Sequence, residues 1–417
     1  MKVIDAGGGI AGMTAALSLH AAGLDATVFE AASEIHALGL GIHLQPNAVR
    51  ELFELGLADQ LMRVAVPIEE LGFYTDLGQR VWAEPRGLQA GYHWPQLAIN
   101  RGTLQVVLLE AARQRLGAGH IVTGHTLEAF EQDDDDGVTA HFTDRATGGR
   151  LTVRGDVLIG ADGLHSVVRK HFYPVQPLQY GGQLMWRSAV ESRPFLGGRT
   201  FIIAGHRDQK IVAYPMLEKP DGQMVVNWIA ELGTPGDGPP REEWNRLVDK
   251  ALFADAFANW RFDWLDVPAL IESATDVFEF PKVDRDPVPQ WTFGRVTLIG
   301  DAAHPMHPTG SQAGSQAVVD ARALARHLAT EGDPYAGLLA YQDDRLLPMR
   351  KLALLNRTLG PERVLDLATE RAPGGFTRIE DVLAPEELRL YADEFKEMAG
   401  FAVDQLNNRP SYSVSVS

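Results

Sequence analysis

Gly7, Gly9 and Gly12 follow a short apolar run at the start of the chain in the spacing G-x-G-x-x-G. Such a loop lets a pyrophosphate approach the backbone, and the third glycine lets helix and strand pack closely. Ile10 and Ala11 open a helix-forming run that Gly23 can stop. The N–H groups and positive dipole end of that helix would face a bound phosphate. Glu30 ends the next apolar run, near the roughly 20-residue spacing expected of a ribose-binding acid. Two further junctions repeat the theme of an apolar strand running into glycine and aspartate: Val157 to Gly160-Ala161-Asp162-Gly163, and Val296 to Gly300-Asp301. Asp162 would cap the following helix or hold a ligand hydroxyl, and Gly163 would admit close backbone contact. Arg101, at a helix start, would bind a phosphate or ribose, or form a surface ion pair. Asp5 breaks the pattern, because a first parallel strand is normally apolar on both faces, and an unpaired buried carboxylate is costly.

Other residues suggest chemistry less specifically. His304 and His307, with Pro305 and Pro308 between and after them, lack a third ligand and read as loop rather than metal site. The run Asp133 to Asp136 before Gly137 lacks the EF-hand spacing and reads as a solvated hairpin tip. Arg187, Tyr214 and Trp228 sit in β-forming, aromatic-rich segments. They are candidate pocket residues, the aromatics offering flat faces and the arginine a carboxylate partner; the alternative is ordinary sheet packing and a surface salt bridge.

Stepping outward to the elements, the spacing predicts strand–helix–strand over residues 3–30, a glycine-rich loop around Gly39, Gly41 and Ile42, and helices over 47–55 and 104–116. An antiparallel meander is expected over 121–159. Antiparallel sheet is expected over 180–285, with a helical stretch near 241–260. A Gly-rich loop, Pro308 to Gly314, then opens a helix from about Ser315 to Leu328. Helices are expected over 345–355 and 361–405, broken near Pro373, and the last residues, 411–417, are expected to be disordered or a weak edge strand.

Composition narrows the class. The 417 residues carry a formal net charge of −17, are 45% hydrophobic and 22% charged, and include no cysteine. The acidic balance argues against nucleic-acid or anionic-membrane partners. The missing cysteines exclude disulfides and thiolate chemistry. No membrane span or targeting segment is apparent, so a cytoplasmic protein is expected.

Taken together and in order, the three glycine junctions resemble those of the single-component flavoprotein aromatic hydroxylases, the group that includes para-hydroxybenzoate and salicylate hydroxylases. Ser33-Glu34-Ile35, Gly39-Leu40-Gly41-Ile42, Ala83-Glu84-Pro85-Arg86-Gly87, Met185-Trp186-Arg187 and Val226-Asn227-Trp228 are most similar to its phenazine-modifying members. The resemblance implies an α/β fold: a Rossmann-like FAD-binding domain from residues 1–67, 98–178 and 286–360, and an antiparallel-sheet substrate domain from 68–97 and 179–285. Residues 361–417 would form a C-terminal helical segment and tail. It implies FAD, with Gly7, Gly9, Ile10, Ala11 and Gly12 at the pyrophosphate, and Glu30 and Arg101 on the adenosine half. Gly41 and Ile42 would lie along the flavin, Asp162 and Gly163 in the second fingerprint, and Gly300 and Asp301 at the ribityl chain. Pro308, Gly310 and Gly314 would lie near the pyrimidine ring, where a helix N-terminus favours negative charge.

The implied reaction is reduction of FAD by NADH or NADPH, formation of a flavin hydroperoxide with O2, and transfer of oxygen to an aromatic or N-heteroaromatic acid or phenol. No general acid or base is named by the sequence; Arg187, Tyr214, Trp228, His304 and Pro305 are the pocket candidates. A monomer or homodimer fits equally. Two departures stand out: His36, where family members often carry arginine, and Asp5. A flavin reductase or dehydrogenase of similar fold, and a non-catalytic flavoprotein that sequesters an aromatic ligand, remain open alternatives. A halogenase is disfavoured, because Trp260 to Trp264 does not match that family's tryptophan pattern.

Overall fold

A computed structural model describes the chain except residues 38, 134–136, 235–237, 239–245, 359–361, 399–401 and 415–417. Its organising layer is a five-stranded parallel sheet in the order Val296–Leu298, Val157–Gly160, Lys2–Ala6, Asp25–Glu30, Ile121–Thr123. The strands are short and, Asp5 and a few threonines apart, apolar in their buried parts, as a sheet covered on both sides requires. One cover is the helix Ile10–Ala21, which packs against the helices Arg101–Leu116 and Ala313–Thr330. A second layer is an eight-stranded, mainly antiparallel sheet running Arg246–Val248, Val277–Asp284, Gln179–Ser192, Met224–Gly233, Gln209–Glu218, Thr200–His206, Glu70–Tyr74, Arg80–Pro85. Its single parallel pairing joins Thr200–His206 to Glu70–Tyr74. A small antiparallel sheet of Gly41–Leu44, Gln96–Asn100 and Ala65–Ile68 bridges the two layers. This is the α/β architecture expected, a Rossmann-like sheet combined with an antiparallel one.

Local differences have physical reasons. The meander over 121–159 is a three-stranded antiparallel sheet only from His125 to Gly155; its two ends are strands of the parallel sheet. The acidic tip Asp134 to Asp136 falls outside the described residues. The helical stretch expected over 241–260 is instead the strand Arg246–Val248 and two short 3-10 turns, residues 241–245 lying outside the described set. There Arg246 pairs with Glu279 across the sheet. The helix expected from Arg345 begins at Pro334, where Asp333 caps the Ala336 N–H, and continues through Pro348 to Asn356. The tail over 411–414 is tied down rather than loose: Arg326 donates to the Ser411 carbonyl, and the Tyr412 hydroxyl donates to Asp344. Buried Arg50 donates to the carbonyls of Leu406, Arg409 and Pro410. No described helix is long and apolar enough to cross a membrane.

Asp5 lies in the central strand, paired on both sides, 0% exposed and with neither carboxylate oxygen hydrogen-bonded. Burial pushes its pKa well up, and the carboxylates of Asp162 and Glu30 push it further. An unfolded Asp titrates near 3.9. Between that value and the raised folded one, the native chain holds a proton that the unfolded chain has lost, so stability falls as pH rises through the window. Asp5→Val is expected to stabilise the fold at neutral pH by about 1–3 kcal/mol and to abolish that decline. Thermal unfolding of both chains from acid to neutral pH checks it; parallel pH curves would contradict the assignment.

Candidate active site

The glycine loop leaves the C-terminal end of the central strand Lys2–Ala6 under tight steric control. Gly7 has φ +137°, and a Cβ there would lie 2.2 Å from the Ala161 carbonyl oxygen. A Cβ on Gly9 would meet nothing within 4 Å, so its outer face is open. The helix beginning at Ile10 has no side-chain cap and no acid in its first turn, leaving its N–H groups free for an anion. Glu30 is engaged with the loop itself: Oε2 accepts from the Gly8 N–H and Oε1 from the Ala32 N–H, each at 2.7 Å. Asp162 Oδ2 accepts from the N–H groups of Val167 and Val168, while its Oδ1 is buried without a partner. Burial pushes the Asp162 carboxyl up, against the pull of those hydrogen bonds. Gly163 beside it is open. Asp301 is exposed in the 3-10 turn Gly300–Ala302 that follows the edge strand. Arg101 is exposed at the start of its helix, its backbone N–H donating to the Leu40 carbonyl. An open glycine, an uncapped helix and an orphaned aspartate oxygen form a cradle that suits the phosphates and ribose hydroxyls of FAD.

Beyond the cradle lies a cavity of roughly 1110 Å³, its open mouth included. One wall is Gly41, Ile42 and the loop Pro308 to Gly314, which leads into the uncapped N-terminus of Ala313–Thr330. In that loop Gly310 and Ser311 both have positive φ, 72° and 54°. The floor is one face of the eight-stranded sheet, where cross-strand registers line up Ile203, Val212, Ile229 and Arg187 in one row. Gly41 is pinned between floor and loop: its N–H donates to Asn227 Oδ1 and its carbonyl accepts from Arg187 Nη2, both at 2.8 Å. A Cβ on Gly41 would lie 2.7 Å from the Tyr214 ring, so only glycine fits.

Arg187 is half-buried and interacts with the Tyr214 hydroxyl, and desolvation lowers its pKa. Its Nε has no acceptor, and no carboxylate among the described residues pairs with it. Burial pushes Tyr214 up to about 12, against the pull of Arg187, so its hydroxyl stays protonated. Deeper in the cavity, four buried charges alternate: Lys210 contacts Glu231 at 3.1 Å and Glu362 at 2.5 Å, and Lys282 lies 3.5 Å from Glu231. Burial opposes the Glu231 charge, but the two lysines hold its carboxyl down at about 2. These four charges balance.

The structure divides the expected pocket residues. Arg187 and Tyr214 line the cavity, as do Gly41, Ile42, Pro308, Gly310 and Gly314. Trp228 does not. It alternates with Asn227 and Ile229, points to the opposite face of the sheet and packs in the core near Phe253. His304 and Pro305 border a separate small cleft beside Arg169 and Met349. His304 Nε2 is held by buried Asp320, which also accepts from Arg345 Nε at 2.9 Å and the Gly300 N–H at 3.1 Å. His307 lies behind the loop, 3.8 Å from Asp284, and burial lowers its pKa to about 4. His36 is exposed, 3.2 Å from Glu34. Sequence reasoning missed His43, Gln96, Arg86, Lys210, Glu231 and Lys282 as cavity residues. Glu231 had a readable signal, the single charge inside the otherwise uncharged strand Met224–Gly233.

Comparison with known proteins matches residues 1–354 to the family described as FAD binding domain. The chain is 40% identical over 362 residues to phenazine 1,6-dicarboxylic acid hydroxylase of Lysobacter antibioticus, covering 85% of this chain and 89% of that one. It is 32% identical over 416 residues to 3-amino-4-hydroxybenzoate 2-monooxygenase of Streptomyces platensis, covering 97% and 96%. In fold it is similar to Klebsiella pneumoniae HpxO complexed with FAD and uric acid, with a TM-score of 0.73 at 24% identity over 97% of this chain and 96% of that one. The chain therefore belongs to the FAD binding domain family and, within it, to the FAD-dependent aromatic hydroxylases.

Proposed function

We propose that this enzyme uses NAD(P)H and O2 to hydroxylate a flat aromatic or N-heteroaromatic acid, and that it works in the cytoplasm. The observation that carries the substrate class is Arg187, a half-buried guanidinium on the floor of the cavity whose buried Nε has no acceptor and which has no carboxylate partner among the described residues. A desolvated cation of this kind is costly unless a ligand supplies the anion. The named substrates of the relatives, a phenazine dicarboxylic acid and an aminohydroxybenzoate, support the same class. When bound, FAD supplies electron transfer to O2 and the activation of oxygen. The chain's part is positioning. Arg187 takes the substrate carboxylate, and Tyr214 keeps its proton as a neutral donor. Ile203, Val212 and Ile229 give the ring an apolar floor that excludes water. The N-terminus of Ala313–Thr330 offers N–H groups to negative charge developing on the flavin side.

The test is NAD(P)H oxidation by the purified FAD-loaded protein with aromatic acids, followed by product mass. Added oxygen in the product supports the reading, and NAD(P)H oxidation with no oxygenated product across phenolic and N-heteroaromatic acids defeats it. Arg187→Met is expected to raise KM for a carboxylated ring by roughly 10- to 100-fold, the worth of a charge-assisted hydrogen bond. An unchanged KM would remove Arg187 from that role.

A further inference from the structure

A second group of polar residues lines the cavity and is left unused by the reading above. His43, Gln96 and Arg86 come from three different segments, yet all line the same space and are 3%, 1% and 7% exposed. Each carries a buried side-chain atom with no partner: His43 Nε2, Gln96 Oε1 and Arg86 Nε. Buried polar atoms are nearly always satisfied, so the two orphaned donors among them, His43 Nε2 and Arg86 Nε, mark a place where a ligand acceptor belongs.

Their chemistry narrows that ligand. Gln96 Nε2 lies 3.2 Å from His43 Nδ1. With the amide nitrogen donating, Nδ1 accepts and the ring proton sits on Nε2, which makes Nε2 a donor. Burial, with Arg86 nearby, lowers the pKa of His43 to about 3, so the ring is neutral. The ring is also fixed in place, stacked on Phe201 at 4.3 Å and edge-on to Tyr214 at 4.2 Å between centroids. Arg86 Nε–H is the second free donor. Its guanidinium is bound through Nη2 to Glu84 Oε1, and Lys396 takes Glu84 Oε2 at 2.5 Å. Two cations thus share one carboxylate, leaving one positive charge over. Two N–H donors beside an uncompensated positive charge suit an acceptor-only, planar, two-oxygen group.

The position completes the argument. His43 stacks over Phe201, whose strand lies three strands from that of Arg187 in the order Gln179–Ser192, Met224–Gly233, Gln209–Glu218, Thr200–His206. At about 4.8 Å per strand, the backbones that carry the two sites are roughly 14 Å apart. Between them runs the apolar floor of Val212 and Ile229. With the Lys210, Glu231, Lys282 and Glu362 charges balanced, Arg187 and Arg86 are the two remaining cations that line the cavity among the described residues, and Arg86 shares its carboxylate with Lys396.

We propose that Arg86 and His43, with Gln96 as a positioning residue that sets the His43 tautomer, form a second carboxylate subsite, and that the preferred substrate is an aromatic ring carrying an acidic group on each side. This rests on the aromatic-acid reading. Its test uses the FAD-loaded protein and two probes with one ring system, phenazine-1-carboxylate and phenazine-1,6-dicarboxylate, with binding read from the flavin absorbance. The dicarboxylate is expected to bind roughly 10- to 100-fold more tightly than the monocarboxylate. Arg86→Met and His43→Phe, the latter keeping the stacked ring, are each expected to bring that ratio close to one. Gln96→Leu is expected to raise KM for the dicarboxylate far more than it changes kcat. A wild-type ratio near one overturns the subsite while leaving the aromatic-acid reading standing; so does a ratio that survives in both Arg86→Met and His43→Phe. Failure of both probes to perturb the flavin, together with failure of benzoate-type acids, overturns the subsite and the aromatic-acid reading at once. The wild-type comparison decides the matter even if a variant fails to fold.

Discussion

A Gly12→Ala protein is expected to purify without colour. The added Cβ would sit 1.8 Å from the Gly7 carbonyl oxygen, and the next nearest side-chain atom, Asp5 Oδ1, is at 3.1 Å. Neither neighbour can yield easily, since Gly7 is held by its N–H donating to the Phe29 carbonyl at 2.9 Å. The loop must therefore move, and the loop is the pyrophosphate cradle. Retention of FAD should fall at least roughly 100-fold, equivalent to about 2.7 kcal/mol. The ratio of flavin to protein absorbance after gel filtration measures this directly, and a variant as yellow as the parent would show that Gly12 does not control the loop.

The second large effect is expected at Arg345, whose partner Asp320 also holds the Gly300 N–H. Asp320 is fully buried; burial opposes its charge, but His304 and Arg345 hold its carboxyl below the usual range. Arg345 also donates through Nη2 to Gln316 Oε1 at 2.6 Å. Arg345→Met strips a permanently charged partner from a buried carboxylate, and such losses cost about 3–5 kcal/mol. Urea unfolding of the FAD-loaded protein should show the midpoint drop. The double variant Arg345→Met with Asp320→Leu should recover part of the loss, because it removes the stranded charge as well. If the double variant is less stable than the single one, the charge is not what the arginine compensates.

These residues also show how far the chain could be read before its structure. The nucleotide cradle was legible because its spacing is set by local geometry: a strand, a tight loop and a helix must follow one another within a dozen residues. The α/β fold followed from the three strand–glycine junctions. The cavity was harder. Trp228 and Asn227 are adjacent in a strand buried on both faces, and period-two alternation alone does not say which face meets a cavity and which the core. Asn227 turned out to hold the Gly41 N–H, while Trp228 packs in the core. His304 looked like a loop histidine because its partner, Asp320, is placed by tertiary packing of the helix Ala313–Thr330. His43, Gln96 and Arg86 converge only because the small bridging sheet brings Gly41–Leu44 beside Gln96–Asn100. Nothing in their spacing announces it.

The strand order of the parallel sheet has a consequence for how the protein is made. Its central strand, Lys2–Ala6, is made well before one neighbour, Val157–Gly160, and the edge strand beyond that, Val296–Leu298. Pairings over such sequence separations form slowly. Until residue 298 has emerged, the nascent chain carries an unpaired edge on Val157–Gly160, the kind of surface that recruits other strands. Asp301 and the Pro308 to Gly314 loop arrive later still, so cofactor loading must wait for them, and fragments ending before Val296 should be held by chaperones or aggregate.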